Sequence, residues 1–194
     1  MIDALVAMEP RFRAVGAAER YGLRKDDYLL VTLHRPALVD GPLLPKVIDE
    51  LTNVARELPV LFPVHPRTRK MLTSAADSPG LILTGPLSYV DFLAAEATAA
   101  AVLTDSGGVQ EETTYLGIRC FTLRDSTERP VTIRLGTNTL LGLDPARIAH
   151  ILPSLTIGRR CPATPPPLWD GLASERVTDT LEDVLVKPRV TARA

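Results

Sequence analysis

Cysteine is scarce: the 194-residue chain has two, Cys120 and Cys161. Two cannot form the disulfide framework that staples small secreted domains. Cys120 lies inside an apolar run, which points to a reduced, cytoplasmic setting. Net charge is also slight, −1, from 22 basic and 23 acidic side chains. That balance speaks against nucleic acid or an anionic membrane as partner. Long apolar runs are missing. The longest candidate, residues 93–103, is broken by Glu96 and Thr98 and falls short of a bilayer span. The first residues lack the charged-then-apolar pattern of a secretory signal, and no internal repeat is visible.

Hydrophobic residues make up 45% and charged residues 23%, ordinary values for a globular chain. The length suits one sizeable domain or two small ones. Short apolar runs alternate with helical patterns. A helix is predicted over 5–21, ending at Gly22, and a strand over 28–33. Asp40-Gly41-Pro42 opens a second helix to about residue 57, with Pro42 in the first turn where its missing N–H costs little. Leu43, Leu44, Val47, Ile48, Leu51, Val54 and Leu58 give that helix one apolar face. Further strands are expected at 60–64, 81–83, 101–103 and 120–123, with helices at 67–76, 89–99 and 109–116. Ser88 followed by Asp91 is a capping pattern for the helix at 89.

Such alternation predicts an α/β fold, a doubly wound parallel sheet with right-handed crossovers. Residues 1–157 are expected to form this Rossmann-like domain. A Pro-rich, basic connection over 158–170 and a helix over 172–185 are expected to pack back on it through Trp169, with the last eight residues frayed.

Four strands end in polar residues. The strand at 28–33 runs into His34-Arg35-Pro36, that at 60–64 into His65-Pro66-Arg67, and that at 120–123 into Arg124-Asp125-Ser126-Thr127-Glu128-Arg129-Pro130. The strand at 101–103 runs into Thr104-Asp105-Ser106-Gly107-Gly108-Val109-Gln110-Glu111-Glu112. In an open parallel sheet the ligand sits outside the carboxyl ends of the strands. These residues therefore read as an anion pocket. Two consecutive glycines leave backbone N–H groups uncovered, and the helix start adds donors and partial positive charge. That is a seat for phosphate. Ser106 can donate one more hydrogen bond, and Glu112, about a turn into the helix, can accept from sugar hydroxyls.

Each feature also has a plainer reading. The glycines fit a tight turn. Phe92 is more often core. His65 fits a strand-end cap, Arg35 and Arg67 fit solvated charges, and His150, within a predicted helix beside Ile148 and Ile151, fits a structural role.

With these residues laid out, the chain resembles the carboxyl-terminal half of the non-hydrolysing UDP-N-acetylglucosamine 2-epimerases. The matching stretches are Val31-Thr32-Leu33-His34-Arg35-Pro36, His65-Pro66-Arg67-Thr68, Pro86-Leu87-Ser88-Tyr89-Val90-Asp91-Phe92, the segment 103–112, the segment 124–130 and Gly136-Thr137-Asn138. Their order and spacing agree from about residue 2 to 185. The resemblance implies one half of a GT-B fold, with two Rossmann-like domains facing across a cleft. It implies that Ser106, Gly107 and Gly108 hold the diphosphate of UDP, that Glu112 holds the ribose, and that Arg129 adds positive charge. It places Phe92 against the uracil and makes His34 an active-site residue. The reaction it implies, interconversion of UDP-GlcNAc and UDP-ManNAc, proceeds by elimination of UDP and re-addition, and needs no cofactor and no metal.

Two departures stand out. The family's amino-terminal domain, with the carboxylates assigned to proton transfer at C2, has no counterpart here; Asp40, Asp105 and Glu111 read as turn or helix-start residues. A complementary amino-terminal domain or subunit is therefore expected as partner, and a homodimer stays open. Second, Ala37-Leu38 stands where family members commonly have Glu-Asn. Arg35 and His65 match positions of a secondary, regulatory UDP-sugar site in some members, and the missing pair puts such regulation in doubt. The competing readings are half of a UDP-sugar glycosyltransferase and a non-catalytic UDP-sugar-binding subunit.

Overall fold

A computed structural model describes residues 1–69, 72, 78–156 and 165–185. Five strands form close to their predicted spans: β1 (Leu29–Thr32), β2 (Val60–Pro63), β3 (Leu81–Thr84), β4 (Ala101–Thr104) and β5 (Arg119–Thr122). A sixth, β6 (Asn138–Leu140), has no counterpart in the sequence reading. All neighbours pair in parallel, in the order β3-β2-β1-β4-β5-β6. The order reverses between β1 and β4, and that reversal is where a doubly wound sheet opens its ligand crevice.

The helices are α1 (Ile2–Arg13), α2 (Pro36–Val39), α3 (Leu43–Ala55), α4 (Pro66–Arg69), α5 (Tyr89–Thr98), α6 (Gly107–Leu116), α7 (Pro130–Arg134), α8 (Ile151–Leu155) and α9 (Ala173–Leu185). They cover both faces of the sheet, so the strands bury alternate side chains in two cores. Leu29 and Val31 face the core under α3, while Tyr28 and Leu30 face the one under α1 and α5. A strand buried on both sides reads as a continuous apolar run, which is why these strands were legible. α3 buries Leu44, Val47, Ile48, Leu51 and Val54, each worth about 1.5–3 kcal/mol when fully buried.

The helix expected over 5–21 is two elements. α1 starts at Ile2 and ends at Arg13, and a separate 3₁₀ turn spans Glu19–Tyr21, closed by Gly22 at φ 72°. Val15 and Gly16 are weak helix formers, and the break lets Ala17, Ala18 and Leu23 enter the second core. α6 begins two residues earlier than expected: Ser106 takes the extended N-cap conformation, so both glycines form the first helical turn.

β6 was illegible because it is a three-residue edge strand without an apolar run. The helix expected around His150 is present as a 3₁₀ turn at Pro145–His150 followed by α8. They pack Ile148 and Ile151 against α3, while His150 itself is exposed. At the other end, the Ser174 N–H donates to Asp3 Oδ2 at 2.7 Å, tying the start of α9 to α1. Trp169 shares a hollow with Met1, Ile2 and Asp3. The rest of α9 is exposed, including Val177, Leu181, Val184 and Leu185. The predicted helix beyond residue 69 lies largely outside the described residues. So do Cys161, the boundary at 157/158, most of the Pro-rich connection and the chain end. No helix among the described residues is long and apolar enough to cross a membrane.

Candidate functional site

The switch point sets two chain segments side by side. Thr32 of β1 stands opposite Thr104 of β4, so His34-Arg35 and Asp105-Ser106 leave the sheet together. Asp105 joins them. Its fully buried carboxylate accepts from the backbone N–H of His34 at 3.0 Å and of Arg35 at 2.8 Å. The same carboxylate lies 2.9 Å from His34 Nδ1. Arg35 Nε donates to the Asp105 carbonyl at 3.1 Å. The expectation that Asp105 is only a turn residue is therefore corrected. It bridges two strands distant in sequence, and no local pattern reports that.

Ser106 donates its N–H to Thr104 Oγ1 at 3.0 Å and makes no side-chain cap of α6. Its hydroxyl is not used on the helix, and the first N–H groups of a helix have no intrahelical partner. Gly107 and Gly108 do not have positive φ. What they provide is a bare backbone. A Cβ on Gly107 would lie 3.6 Å from Glu128 Oε2, and one on Gly108 would lie 2.9 Å from Cε of Met1. The tight-turn reading of these glycines is thus replaced by an open helix start.

The segment after β5 folds over this helix start. Arg124 makes two hydrogen bonds to Glu128, at 3.0 and 2.7 Å. They pull the Glu128 carboxyl down to about 2, so it stays charged. Arg35 lies 3.8 Å from the same carboxylate, and Arg129 Nε donates to Glu111 at 2.7 Å. A buried chain of polar groups holds the segment. Gln110 Oε1 accepts from the Thr127 hydroxyl and from Asn138 Nδ2, and Thr122 donates to Asn138 Oδ1 at 2.7 Å. The cations around the helix start already have carboxylate partners, so an incoming anion competes with Glu128 and Glu111.

Glu112 lies deeper than the sequence suggested, 2% exposed, and accepts from the Tyr89 hydroxyl at 2.8 Å. Burial pushes its pKa up; the Tyr89 hydrogen bond and the amino group of Met1 pull the other way. Tyr89, raised by burial and by Glu112, remains a donor. The sequence reading passed it over, although the Ser88 cap that sets the start of α5 also sets its position. Phe92, three residues on, is partly buried at the edge of the second core. His65 is exposed at the end of β2, one strand from His34. The structure thus gathers His34, Arg35, Ser106, Gly107, Gly108 and Arg129 at one crevice, with Glu112 behind them and Phe92 and His65 to its sides.

Glu96, seven residues after Tyr89 on α5, is fully buried, and neither carboxyl oxygen has a hydrogen-bond partner among the described residues. Burial and then the charge of Glu112 hold its pKa well above the usual 4.5. Above that value the unfolded chain gives up its proton while the folded chain retains it, so stability falls as pH rises. Glu96→Leu is expected to stabilise the fold by about 1–3 kcal/mol, the cost of an unsatisfied buried group. Melting curves from about pH 4 to about pH 9 should show the gap to the parent widening with pH. A constant gap would refute the buried-acid account.

The family model described as UDP-N-acetylglucosamine 2-epimerase matches residues 1–182. The chain is 36% identical over 146 residues to the UDP-N-acetylglucosamine 2-epimerase of Methanococcus maripaludis, a match covering 71% of this chain and 40% of that protein. It is 34% identical over 134 residues to the UDP-2,3-diacetamido-2,3-dideoxy-D-glucuronate 2-epimerase of Pseudomonas aeruginosa, covering 68% and 38%. Its fold matches the crystal structure of Methanocaldococcus jannaschii UDP-GlcNAc 2-epimerase in complex with UDP-GlcNAc and UDP. That match has a TM-score of 0.78 and 31% identity, over 93% of this chain and 52% of the other. The chain spans about half the length, or less, of these relatives. The sheet order, the glycine-started helix at the switch point and the near full-length match agree: the chain belongs to the UDP-N-acetylglucosamine 2-epimerase family.

Proposed function

We propose that this chain is the UDP-binding half of a non-hydrolysing UDP-N-acetylglucosamine 2-epimerase. The observation that carries the proposal is the first turn of α6, built from Gly107 and Gly108 at the β1/β4 switch point with Arg35 and Arg129 around it. In this reading Ser106, Gly107 and Gly108 hold the diphosphate, Arg129 turns from Glu111 toward it, and Glu112 takes the ribose hydroxyls. Phe92 borders the uracil. Arg35, already bound to Asp105, serves the diphosphate side. His65 is then the remaining candidate for a regulatory contact.

The reaction begins with loss of the C2 proton and cleavage of the C1–O bond, whose electron pair goes to the β-phosphate oxygen of departing UDP. Re-addition of UDP at C1 and return of the proton to the other face of C2 give the epimer. Charge builds on the β-phosphate as the bond breaks, and preorganised donors and cations stabilise it best in a water-poor cleft. His34 assists at the junction of diphosphate and sugar. The carboxylates for C2 belong, by the resemblance, to a complementary amino-terminal domain. That the Pseudomonas relative acts on a diacetamido sugar supports a UDP-2-acetamido sugar as the substrate class. A cytoplasmic setting and a supply role for cell-surface polysaccharide follow from the resemblance alone.

The chain is expected to bind UDP on its own, more weakly than a closed two-domain cleft would. Titration calorimetry at moderate salt tests this, and absence of heat up to millimolar UDP would count against the pocket. Ser106→Ala removes one donor to a charged acceptor, worth about 1.5–3 kcal/mol. The same titration should then read an affinity about ten- to hundredfold lower.

A further inference from the structure

The buried carboxylate of Asp105 does more than its backbone contacts require. Its Oδ2 accepts from two backbone N–H groups, those of His34 at 3.0 Å and Arg35 at 2.8 Å. Those two bonds would suffice to cap the end of β1. Its Oδ1, however, lies 2.9 Å from His34 Nδ1, within hydrogen-bond reach of the ring. An ionised carboxylate only accepts, so a hydrogen bond across this 2.9 Å contact needs the hydrogen on Nδ1. The bond made by one ring nitrogen decides the state of the other. With that contact hydrogen-bonded, neutral His34 has its lone pair on Nε2. The ring is otherwise open, since 60% of its side chain is exposed, against none of Asp105.

We propose that Asp105 is a positioning residue for His34: it fixes the Nδ1–H tautomer and the ring orientation, so that Nε2 is the nitrogen offered to the crevice beside Ser106 and Gly107. Asp105 acts through His34 and does not itself reach a ligand, because its carboxylate is sealed between the two strand ends. The assignment rests on the proposed function only for what Nε2 meets, the diphosphate–sugar junction. The tautomer itself is a property of the free chain. Asparagine would not serve here. Its carbonyl could still accept from the two backbone N–H groups, but its NH₂ would confront Nδ1 and demand a lone pair there, reversing the ring.

The test is ¹⁵N NMR of histidine-labelled protein, at a pH where the rings are neutral. The chain has three histidines, and the His34 signals are identified by their loss in His34→Gln. The parent is expected to show His34 with a protonated Nδ1 and an unprotonated Nε2, the tautomer that free histidine disfavours. In Asp105→Asn the two nitrogens should exchange character, with Nε2 moving to the protonated region. A parent spectrum with Nε2 protonated, or averaged as in free histidine, overturns the proposal. So does an Asp105→Asn protein that keeps the parent tautomer, since Asp105 would then be only a backbone cap. If the variant does not fold, the parent spectrum still decides. UDP titration of the parent tests the functional reading separately, so failure of one is distinguishable from failure of the other.

Discussion

Gly107→Val is expected to fold like the parent and to lose UDP binding by about 100-fold or more. Gly107 does not have positive φ, and an added Cβ would find Glu128 Oε2 at 3.6 Å and Arg129 Cγ at 4.0 Å, ordinary contacts. The backbone therefore has room for a Cβ at the start of α6. The ligand leaves no such room. A valine side chain would stand over the N–H groups that a phosphate has to approach, and each bond to a charged acceptor is worth about 1.5–3 kcal/mol. Losing two of them gives roughly the stated factor. Thermal melting checks the fold and calorimetry checks the binding. A variant that melts like the parent and binds UDP equally well would place the diphosphate elsewhere.

The second large effect is on turnover. These 194 residues alone are expected not to epimerise UDP-N-acetylglucosamine. Removing the C2 proton needs a base within hydrogen-bond reach, about 2.6–3.2 Å. In the reading proposed above, none of the carboxylates near the crevice serves C2: Asp105 is sealed under His34 and Arg35, Glu128 holds Arg124, Glu112 turns from Tyr89 to the ribose, and Glu111, which Arg129 leaves for the diphosphate, stays on the nucleotide side. General acid–base assistance contributes about 10²–10⁴-fold, and its loss leaves turnover below detection. Supplying a complementary amino-terminal domain should restore exchange at C2, and His34→Ala should remove it again. The measurement is deuterium incorporation at C2 in heavy water. Label entering with the chain alone would mean that one of these acids is free to act as base, and the division of labour proposed here would fall.

The contrast between Asp105 and the glycines shows what the sequence could and could not carry. Gly107 and Gly108 are legible because their meaning is local: bare backbone between an apolar strand and a helix. The strands and α3 are legible because burial imprints a period on consecutive residues. Asp105 and His34 are 71 positions apart, and only the crossing of β1 and β4 joins them. Helical spacing gives the position of Glu112 along α6, not the presence of Tyr89 beside it. β6 pairs with β5 through its backbone and adds the side-chain hydrogen bonds of Asn138 without any apolar alternation, so it had no periodic signal. The early break after α1 reflects a tertiary preference for burying Ala17 and Ala18 over continuing a helix through Gly16.

The polar chain from Thr127 through Gln110 to Asn138 and Thr122 bears on how this crevice moves. Freeing the segment that carries Arg129 exposes Gln110, and that in turn strips the edge strand of its anchor. Loop and strand are therefore expected to open together, which hydrogen exchange would show as one shared, slow rate for the two segments. At the crevice, the backbone of Arg129 is tied through Thr127 to Gln110, and so to the sheet edge. An anion that docks there has little chain left to order, and correspondingly little entropy to lose.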